Sequence, residues 1–455
     1  MEFRVQCLAK NQEPYNVPGI VYKRGNEIVE NPPGKIIEVL DQLPFPYRGS
    51  LNKLIHRFGN ENTAATLSTS RGCFGNCAFC SISQFYKTQG GPRHRIRTVE
   101  NFVKEIKFLI NEYSVNHFVF EDANWYTVGA KGKAWFEEFY QAIIREKLDI
   151  HFDISIRVYC LDEDVISKMD RIGLERVYLG IESFNEERMV LVNKGINVSQ
   201  NCEVLDILQS YGFRSDYNTR KRIKMGFIMF FPDTTPEEIL DQLIFIKKYK
   251  VPAKKLLVRL LPQPGTDIAK KFQLKSDVYF EDYKEYFQYE PVQLIYEAYK
   301  EYIHYISLVK EVIRTIQKSN IDQEGHRIEL LEFLYFAENS AYDLLEELAS
   351  ICLSSKSQEL KTLMREILVS HVEHFDNYII ENSIVNKLQH ILSEVNTTRI
   401  KSVFETNHDL HQFLGIYIYN RDPECPFSLQ TYSEKYKDFL YNRNNRTKIF
   451  YMEEN

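Results

Sequence analysis

Between residues 61 and 270, short apolar runs alternate with longer amphipathic stretches. The short runs predict buried strands, and the 3.6-residue spacing of the stretches predicts helices. The predicted strands are Ala64–Thr69, Asn116–Phe120, His151–Arg157, Arg176–Ile181, Ile223–Phe231 and Lys255–Leu261. The predicted helices are Val99–Tyr113, Gly132–Glu146, Asp162–Ile172, Ser199–Tyr211 and Thr235–Tyr249. This alternation predicts an α/β fold whose parallel sheet curves into a partial (β/α)6 TIM-like barrel, with its chemistry at the carboxyl ends of the strands.

The pattern changes on both sides of this region. The first residues are rich in turn signals, and Gly19–Val29 predicts a small hairpin. After Pro262–Thr266 the pattern becomes helical, as in Val292–Gln317, Arg327–Cys352 and Glu359–Glu394. We therefore expect an N-terminal extension or linker at 1–60, the barrel core at 61–270, and a C-terminal all-helical domain at 271–455. Aromatic residues make up 13% of the chain and are dense where the helical domain begins, which is typical of helix packing through large rings.

Composition narrows the functional classes. The 455 residues carry a formal net charge of −6, which argues against a globally basic protein that binds nucleic acid. The longest apolar run, Met225–Phe231, is far shorter than the roughly 18 residues that predict a membrane span. The start of the chain has no apolar targeting segment, so we expect a cytoplasmic protein without membrane contact.

The cysteines point to a metal cluster. Cys73, Cys77 and Cys80 have the spacing Cys-x3-Cys-x2-Cys directly after the first predicted strand. Three thiolates this close can hold three irons of a cubane cluster and leave the fourth iron open. A structural zinc site would need a fourth ligand nearby, and His94 lies fourteen residues downstream of the last cysteine. The other five cysteines are scattered singly: Cys7, Cys160, Cys202, Cys352 and Cys425.

This loop, with Phe79 before its third cysteine, resembles that of the radical S-adenosylmethionine (SAM) superfamily. The resemblance implies that Cys73, Cys77 and Cys80 bind a 4Fe–4S cluster. It also implies that the open iron chelates the amino and carboxylate groups of SAM, and that Phe79 lies near the adenine. One electron from the cluster would then cleave SAM to a 5′-deoxyadenosyl radical, which abstracts a hydrogen from the substrate.

Further segments match the same family and imply other SAM contacts. Glu121 or Asp122 would meet the amino end of SAM, and only one of them is expected to point inward because successive strand residues face opposite sides. Arg157 either contacts the SAM carboxylate or pairs with a neighbouring acid. Two further motifs are Gly180-Ile181-Glu182-Ser183 and Met225-Gly226-Phe227-Ile228. They would place Glu182 and Ser183 at the methionine or ribose, and Gly226 and Ile228 near the adenine, although Glu182 could instead be a solvated strand end.

The linker and core resemble the cobalamin-binding subgroup, but that subgroup's signature is missing. Leu54 stands where its Asp-x-His-x-x-Gly motif has the aspartate, and 72 residues precede Cys73. We therefore expect that the chain binds no cobalamin itself. The scattered cysteines also argue against auxiliary clusters.

The sequence thus predicts a single-cluster enzyme, of oxidoreductase or lyase type, that abstracts hydrogen from a small polar metabolite. Dehydration, deoxygenation, epimerisation, dehydrogenation or rearrangement would follow, in natural-product or secondary metabolism. The alternatives are a peptide-modifying enzyme, a radical SAM methyltransferase, and an electron-transfer iron–sulfur protein. Flavodoxin or ferredoxin would supply the electron. Cys160 is a candidate hydrogen donor or else a packed small side chain, and the helical domain could cover the barrel mouth and mediate oligomerisation.

Overall fold

A computed structural model describes residues 17–34, 36–60, 63–89, 91–126, 129–215, 220–261, 263–273, 286–318, 324–355, 359–384 and 387–388. These residues fall into two compact units. The first holds the residues up to Arg214, those between Thr219 and Gly226, and those from Leu261 to Asp277. The second holds Phe227–Leu260 and the residues from Val278 onward.

The N-terminal segment contains a hairpin and a short helix. Strands β1 (Val21–Arg24) and β2 (Glu27–Glu30) pair antiparallel, and Gly25 has a φ of 63° in the turn between them. A positive φ favours glycine because it has no Cβ to clash with the backbone. The hairpin predicted around this glycine is therefore present, and helix α1 (Leu51–Phe58) follows it.

From residue 64 to residue 249 strands are interleaved with helices, and the later described elements are helices. The strands are β3 (Ala64–Leu67), β4 (Ser70–Gly72), β5 (His94–Ile96), β6 (His117–Phe120), β7 (His151–Ile156), β8 (Leu174–Glu182) and β9 (Arg222–Phe227). The helices are α2 (Ser81–Gln89), α3 (Val99–Tyr113), α4 (Gly129–Arg145), α5 (Glu163–Arg171), α6 (Glu186–Leu191), α7 (Val198–Ser210), α8 (Pro236–Tyr249), α9 (Asp267–Phe272), α10 (Glu290–Lys318), α11 (Glu324–Ser354) and α12 (Leu360–Glu381).

The first unit is built on a five-stranded sheet with the order β3-β6-β7-β8-β9. Strand pairs β3–β6, β6–β7 and β7–β8 are parallel, and Phe120 lies opposite both Leu67 and Ile154. Together with the C-terminal helices, this sheet confirms the predicted class of a partial barrel followed by a helical region. The small antiparallel pair β4–β5 was not predicted, and it flanks the cysteine loop.

Side-chain caps explain where several helices begin. The side chains of Thr98, Asp162, Asn197 and Thr235 each accept a hydrogen bond from a backbone N–H in the first turn of the helix that follows. Such caps satisfy donors that have no partner within the helix. The predicted start of α8 after Thr235 is thereby confirmed.

Aromatic rings fill the first unit next to its sheet. Phe120 stacks on Phe152 with ring centroids 5.2 Å apart, and Trp125 packs edge-on against Phe139 at 5.5 Å. All four rings are buried. Much of the aromatic excess therefore lies in this core. Of the aromatic residues predicted at the start of the helical domain, Tyr279, Phe280 and Tyr283 lie outside the described residues.

The second unit joins α8 and the segment after it to the long helices. The sixth predicted strand is mostly a 3-10 helix, Ala253–Leu257, followed by one parallel bridge between Phe230 and Arg259. Helix α11 packs against α8, α10 and α12. A buried pair between Lys310 and Glu338, 2.7 Å apart, links α10 to α11. Among the residues that the structure describes, no helix combines the length and apolarity that a membrane crossing needs.

Candidate active site

The three cysteines of the predicted cluster site lie in one loop between β4 and α2. Cys73 and Cys77 are buried and Cys80 is half-buried, and none of the three forms a disulfide within the described part of the chain. The loop follows the end of β4 beside the parallel sheet, where β3 also ends. The thiols predicted from the spacing are thus held on one short segment of the first unit.

Hydrogen bonds fix the path of this loop. The backbone N–H of Ala78 donates to Val192 O at 2.9 Å, and that of Ile268 donates to Ala78 O at 3.1 Å. The Gly75 N–H donates to Cys73 Sγ at 3.3 Å. A Cβ at Gly75 would collide with the guanidinium of Arg157, so a larger residue at this point of the loop would displace that group.

The donor set of the loop is three thiols on one short segment. In the described part of the chain, no three His, Cys, Asp or Glu side chains converge on a point where one metal ion could bind. In a cubane cluster each thiolate binds a separate iron at its own corner, so its ligands need not converge on one point. Three thiolates largely withdrawn from water are the ligand set that a 4Fe–4S cluster with one open iron needs.

Arg157 lies against the cluster loop. It is the first residue after β7, and only 6% of it is exposed. Its Nη1 donates to Cys77 Sγ at 2.8 Å, and its Nη2 donates to Lys194 O. Burial is the largest influence on the pKa of Arg157 and lowers it, but the interactions with Cys77, Tyr159 and Cys73 outweigh burial and raise the pKa overall. The predicted contact of Arg157 with the SAM carboxylate stays a prediction.

A buried ion pair lies at the end of β8. Lys194 Nζ donates to Glu182 Oε1 at 2.5 Å, and both side chains are almost fully buried. Glu182 has a φ of 65°, which is unusual for a residue other than glycine. Ser183 beside it is fully buried. Glu182 is therefore not a solvated strand end, and its pairing with Lys194 was not predicted.

Asp122 and Glu121 point to opposite sides of the chain after β6. Asp122 is buried and accepts hydrogen bonds from Thr69 N and Oγ1 at 3.2 and 3.0 Å and from Ser70 N and Oγ at 2.6 and 2.7 Å. Burial raises the pKa of Asp122 to about 6, against the lowering effect of these hydrogen bonds. Glu121 is exposed. Asp122 thus holds the connection between β3 and β4, and a SAM contact by either carboxylate stays a prediction.

Asn124 connects Arg157 with Cys160. Its Oδ1 accepts from the Arg157 N–H at 2.8 Å, and its Nδ2 lies 3.9 Å from Cys160 Sγ and donates to Tyr126 O. Burial raises the pKa of the Cys160 thiol to about 12. The thiol therefore keeps its hydrogen at neutral pH. No prediction assigned a role to Asn124, although it shares the strand-end motif with Asp122.

The residues predicted at the adenine occupy different parts of the fold. Phe79 is half-buried in the cysteine loop. Gly226 lies in β9, where a Cβ would come within 2.8 Å of Tyr178 Oη and 3.4 Å of Gly180 Cα, so glycine allows β8 and β9 to approach closely. Ile228 is buried in the second unit. Their contacts with SAM stay predictions.

Residues 67–246 match the family model of the radical SAM superfamily. An uncharacterized methyltransferase of Pyrococcus horikoshii is 30% identical over 263 residues, which cover 58% of this chain and 53% of that protein. The anaerobic magnesium-protoporphyrin IX monomethyl ester cyclase of Synechocystis is 28% identical over 213 residues, which cover 46% of this chain and 41% of that protein. The chain spans about half the length of these curated relatives.

A solved structure shares the fold over most of the chain. The cobalamin-dependent S-adenosylmethionine radical enzyme OxsB, with aqua-cobalamin bound, aligns with a TM-score of 0.65 and 16% sequence identity. The alignment covers 96% of this chain and 66% of the OxsB chain. At this identity the likeness concerns the fold alone.

Proposed function

We propose that this chain is a radical SAM enzyme, because its residues 67–246 match the model of that family, and that it abstracts a hydrogen atom from a small polar metabolite through a 5′-deoxyadenosyl radical. Its cofactors are a 4Fe–4S cluster and SAM. The observation that carries the proposal is the loop of Cys73, Cys77 and Cys80, which lies beside the sheet with a buried guanidinium on one of its thiols.

The residues of the first unit would prepare this chemistry. Bound together, the cluster and SAM supply a one-electron reduction and an organic radical. Cys73, Cys77 and Cys80 would hold three irons. Glu182 would accept hydrogen bonds from SAM while Lys194 compensates its charge, since the pair is already buried and preformed. Burial around these groups also excludes water, which would otherwise quench the radical.

Cys160 is the candidate hydrogen donor if the reaction is an epimerisation. Its S–H bond would break as a C–H bond forms on the substrate radical, and the resulting thiyl radical would regain one electron and one proton with the help of the external reductant. Only the protonated thiol can do this, which agrees with a pKa raised to about 12 by burial. If Cys160→Ala left the product and its yield unchanged, Cys160 would not be the donor.

The test of the proposal is anaerobic turnover of the reconstituted protein with SAM and dithionite or flavodoxin. We expect 5′-deoxyadenosine to accumulate, and Cys77→Ala to abolish it. Cys202→Ala is the matched control, because Cys202 lies on α7 outside the cluster loop, and it should retain the activity. A cluster that is reduced without forming 5′-deoxyadenosine in the presence of SAM would favour an electron-transfer protein instead.

Methyl transfer is the second candidate, because the relative from Pyrococcus horikoshii is named a methyltransferase. A methyltransferase would form S-adenosylhomocysteine and a methylated product. Adding hydroxocobalamin to the protein separates the two candidates further. We expect no cobalamin absorbance to remain with the chain after gel filtration, and retained cobalamin would favour methyl transfer.

The cellular setting follows from the chemistry. A reduced cluster needs an external one-electron donor, and we propose a flavodoxin or ferredoxin. None of the described cysteines forms a disulfide within the described part of the chain, and we propose a reducing compartment, the cytoplasm.

A further inference from the structure

Arg157 is a buried cation whose anionic partner is a cluster ligand. In the part of the chain that the structure describes, no carboxylate pairs with it. Its nearest negative group is the thiolate position of Cys77, 2.8 Å from Nη1, and its guanidinium also lies 4.9 Å from the ring centroid of Tyr159. A buried charge without an anionic partner is costly. The buried positive charge of Arg157 is therefore compensated by the thiolate positions of the cysteine loop.

The guanidinium is fixed in this position from several sides. The backbone N–H of Arg157 is held by Asn124, and Nη2 donates to Lys194 O. Gly75 leaves the space that the guanidinium occupies, since a Cβ there would meet both Arg157 Nη1 and Cys73 Sγ. The side chain thus cannot turn away from the loop without losing buried hydrogen bonds, and it would keep its place when a cluster is bound.

We propose that Arg157 is a positioning residue that raises the reduction potential of the cluster through its hydrogen bond and charge at Cys77. The inference rests on the proposed function, since it requires the cluster to be held by this loop. Hydrogen bonds to ligand sulfur and nearby positive charge favour the reduced, more negative cluster. The step is the entry of one electron from a flavodoxin or ferredoxin, with no proton and no bond to SAM involved.

The test is a redox titration of the reconstituted full-length protein without SAM, followed by the electron paramagnetic resonance signal of the reduced cluster. We expect Arg157→Gln to lower the equilibrium constant of reduction about tenfold, or ~59 mV for one electron. Arg157→Met, which keeps the length of the side chain in a buried site, should do the same. Arg157→Lys should shift the equilibrium constant of reduction less, because lysine keeps the charge but cannot donate to Cys77 Sγ and to Lys194 O at the same time.

The matched control is Arg71→Gln. Arg71 carries the same charge two residues before Cys73, but it is exposed and donates to Ser70 O. Its loss should change the equilibrium constant less than twofold, because solvent screens an exposed charge. A potential in Arg157→Gln or Arg157→Met equal to that of the wild type would overturn the proposal. It would also be overturned if neither variant took up iron while Arg157→Lys had the wild-type potential.

These outcomes are separate from those that test SAM cleavage. If the potential shifts as expected but no 5′-deoxyadenosine forms with SAM, the proposed function fails and the role of Arg157 stands. If 5′-deoxyadenosine forms and the potential does not respond to Arg157, only the inference on Arg157 fails.

Discussion

At the scale of single residues, Asp122 shows how a site residue can also hold the fold. Its carboxylate accepts four hydrogen bonds from Thr69 and Ser70 and so anchors the chain just before the cysteine loop. A SAM contact would have to share this carboxylate. The main effect of Asp122 on the site is therefore to hold β4, which leads into the cysteine loop, in place.

The raised pKa of Asp122 predicts that the free energy of unfolding depends on pH. Its pKa is about 6 in the folded chain and 3.8 in its ordinary state, so the folded state binds the proton more tightly. The protonated carboxyl stabilises the folded state fully below its ordinary pKa of 3.8, and this stabilisation is lost as the pH rises through the folded pKa of about 6. Between pH 5 and 7 we expect the apoprotein to lose about 1 kcal/mol from this group, measured by urea unfolding.

Variants at this position isolate the contribution. Asp122→Asn should abolish this part of the pH dependence and lower the free energy of unfolding by about 1–3 kcal/mol, since an amide cannot accept all four hydrogen bonds. Glu121→Gln is the control, because Glu121 is exposed next to it. An unchanged pH dependence in Asp122→Asn would contradict the assignment.

The sequence indicated the site residues that share a short motif and missed those that meet through space. The cysteines and Glu182 could be predicted because their spacing or their place at a strand end carries the signal. The pairings of Lys194 with Glu182 and of Asn124 with Arg157 could not be predicted, since the two members of each pair lie on different elements. Asn124 lies two residues after Asp122 and outside any strand, so the alternation of strand residues could not reveal that it is buried.

At the scale of elements, the sixth predicted strand marks the limit of the hydrophobic pattern. Short apolar runs do not distinguish a strand from a helical turn, and residues 253–257 form a 3-10 helix. What remains of the strand is held by Tyr286, whose hydroxyl donates to Phe230 O at 2.9 Å and to Leu260 O at 3.1 Å. A side chain from the helical part of the chain thus completes this edge, and no local pattern encodes it.

Removing that hydroxyl should weaken the second unit. Tyr286→Phe removes the hydroxyl donor from Leu260 O, whereas Phe230 O still accepts from the Leu260 N–H at 2.8 Å, and we expect the free energy of unfolding to fall by about 1–3 kcal/mol in urea. Tyr289→Phe is the control, because Tyr289 is 46% exposed, and it should change the value by no more than about 0.5 kcal/mol. Equal effects of the two substitutions would show that Tyr286 is not a structural donor.

At the scale of the whole molecule, the compact units do not follow the order of the chain. The sequence predicts a core that ends at 270, whereas the contacts group Phe227–Leu260 with the C-terminal helices. The reason lies in side-chain hydrogen bonds: Tyr299 donates to Ala253 O at 3.1 Å and Tyr342 to Val251 O at 2.7 Å. Whether residues 61–270 fold without the C-terminal helices therefore stays a prediction.

Truncation tests that boundary directly. A chain that ends at residue 277 would lack α11, which packs against α8, and would therefore expose the part of α8 that α11 covers. We expect it to aggregate on expression, and co-expression of residues 278–455 to restore soluble protein, measured by sedimentation and gel filtration. A soluble 1–277 chain with a cooperative thermal transition would instead show that the core folds without the helices.

The hydrogen bonds of Tyr299 to Ala253 O and of Tyr342 to Val251 O form between residues that are synthesised at different times. Tyr342 follows its acceptor Val251 by 91 residues, so at roughly 5–20 residues per second a ribosome delivers the donor about 5–20 seconds after the acceptor. Throughout that interval the apolar side of α8 has left the ribosome without the helix that covers it. Nascent chains of this protein should therefore bind chaperones that recognise exposed apolar segments, and faster translation should shorten that contact.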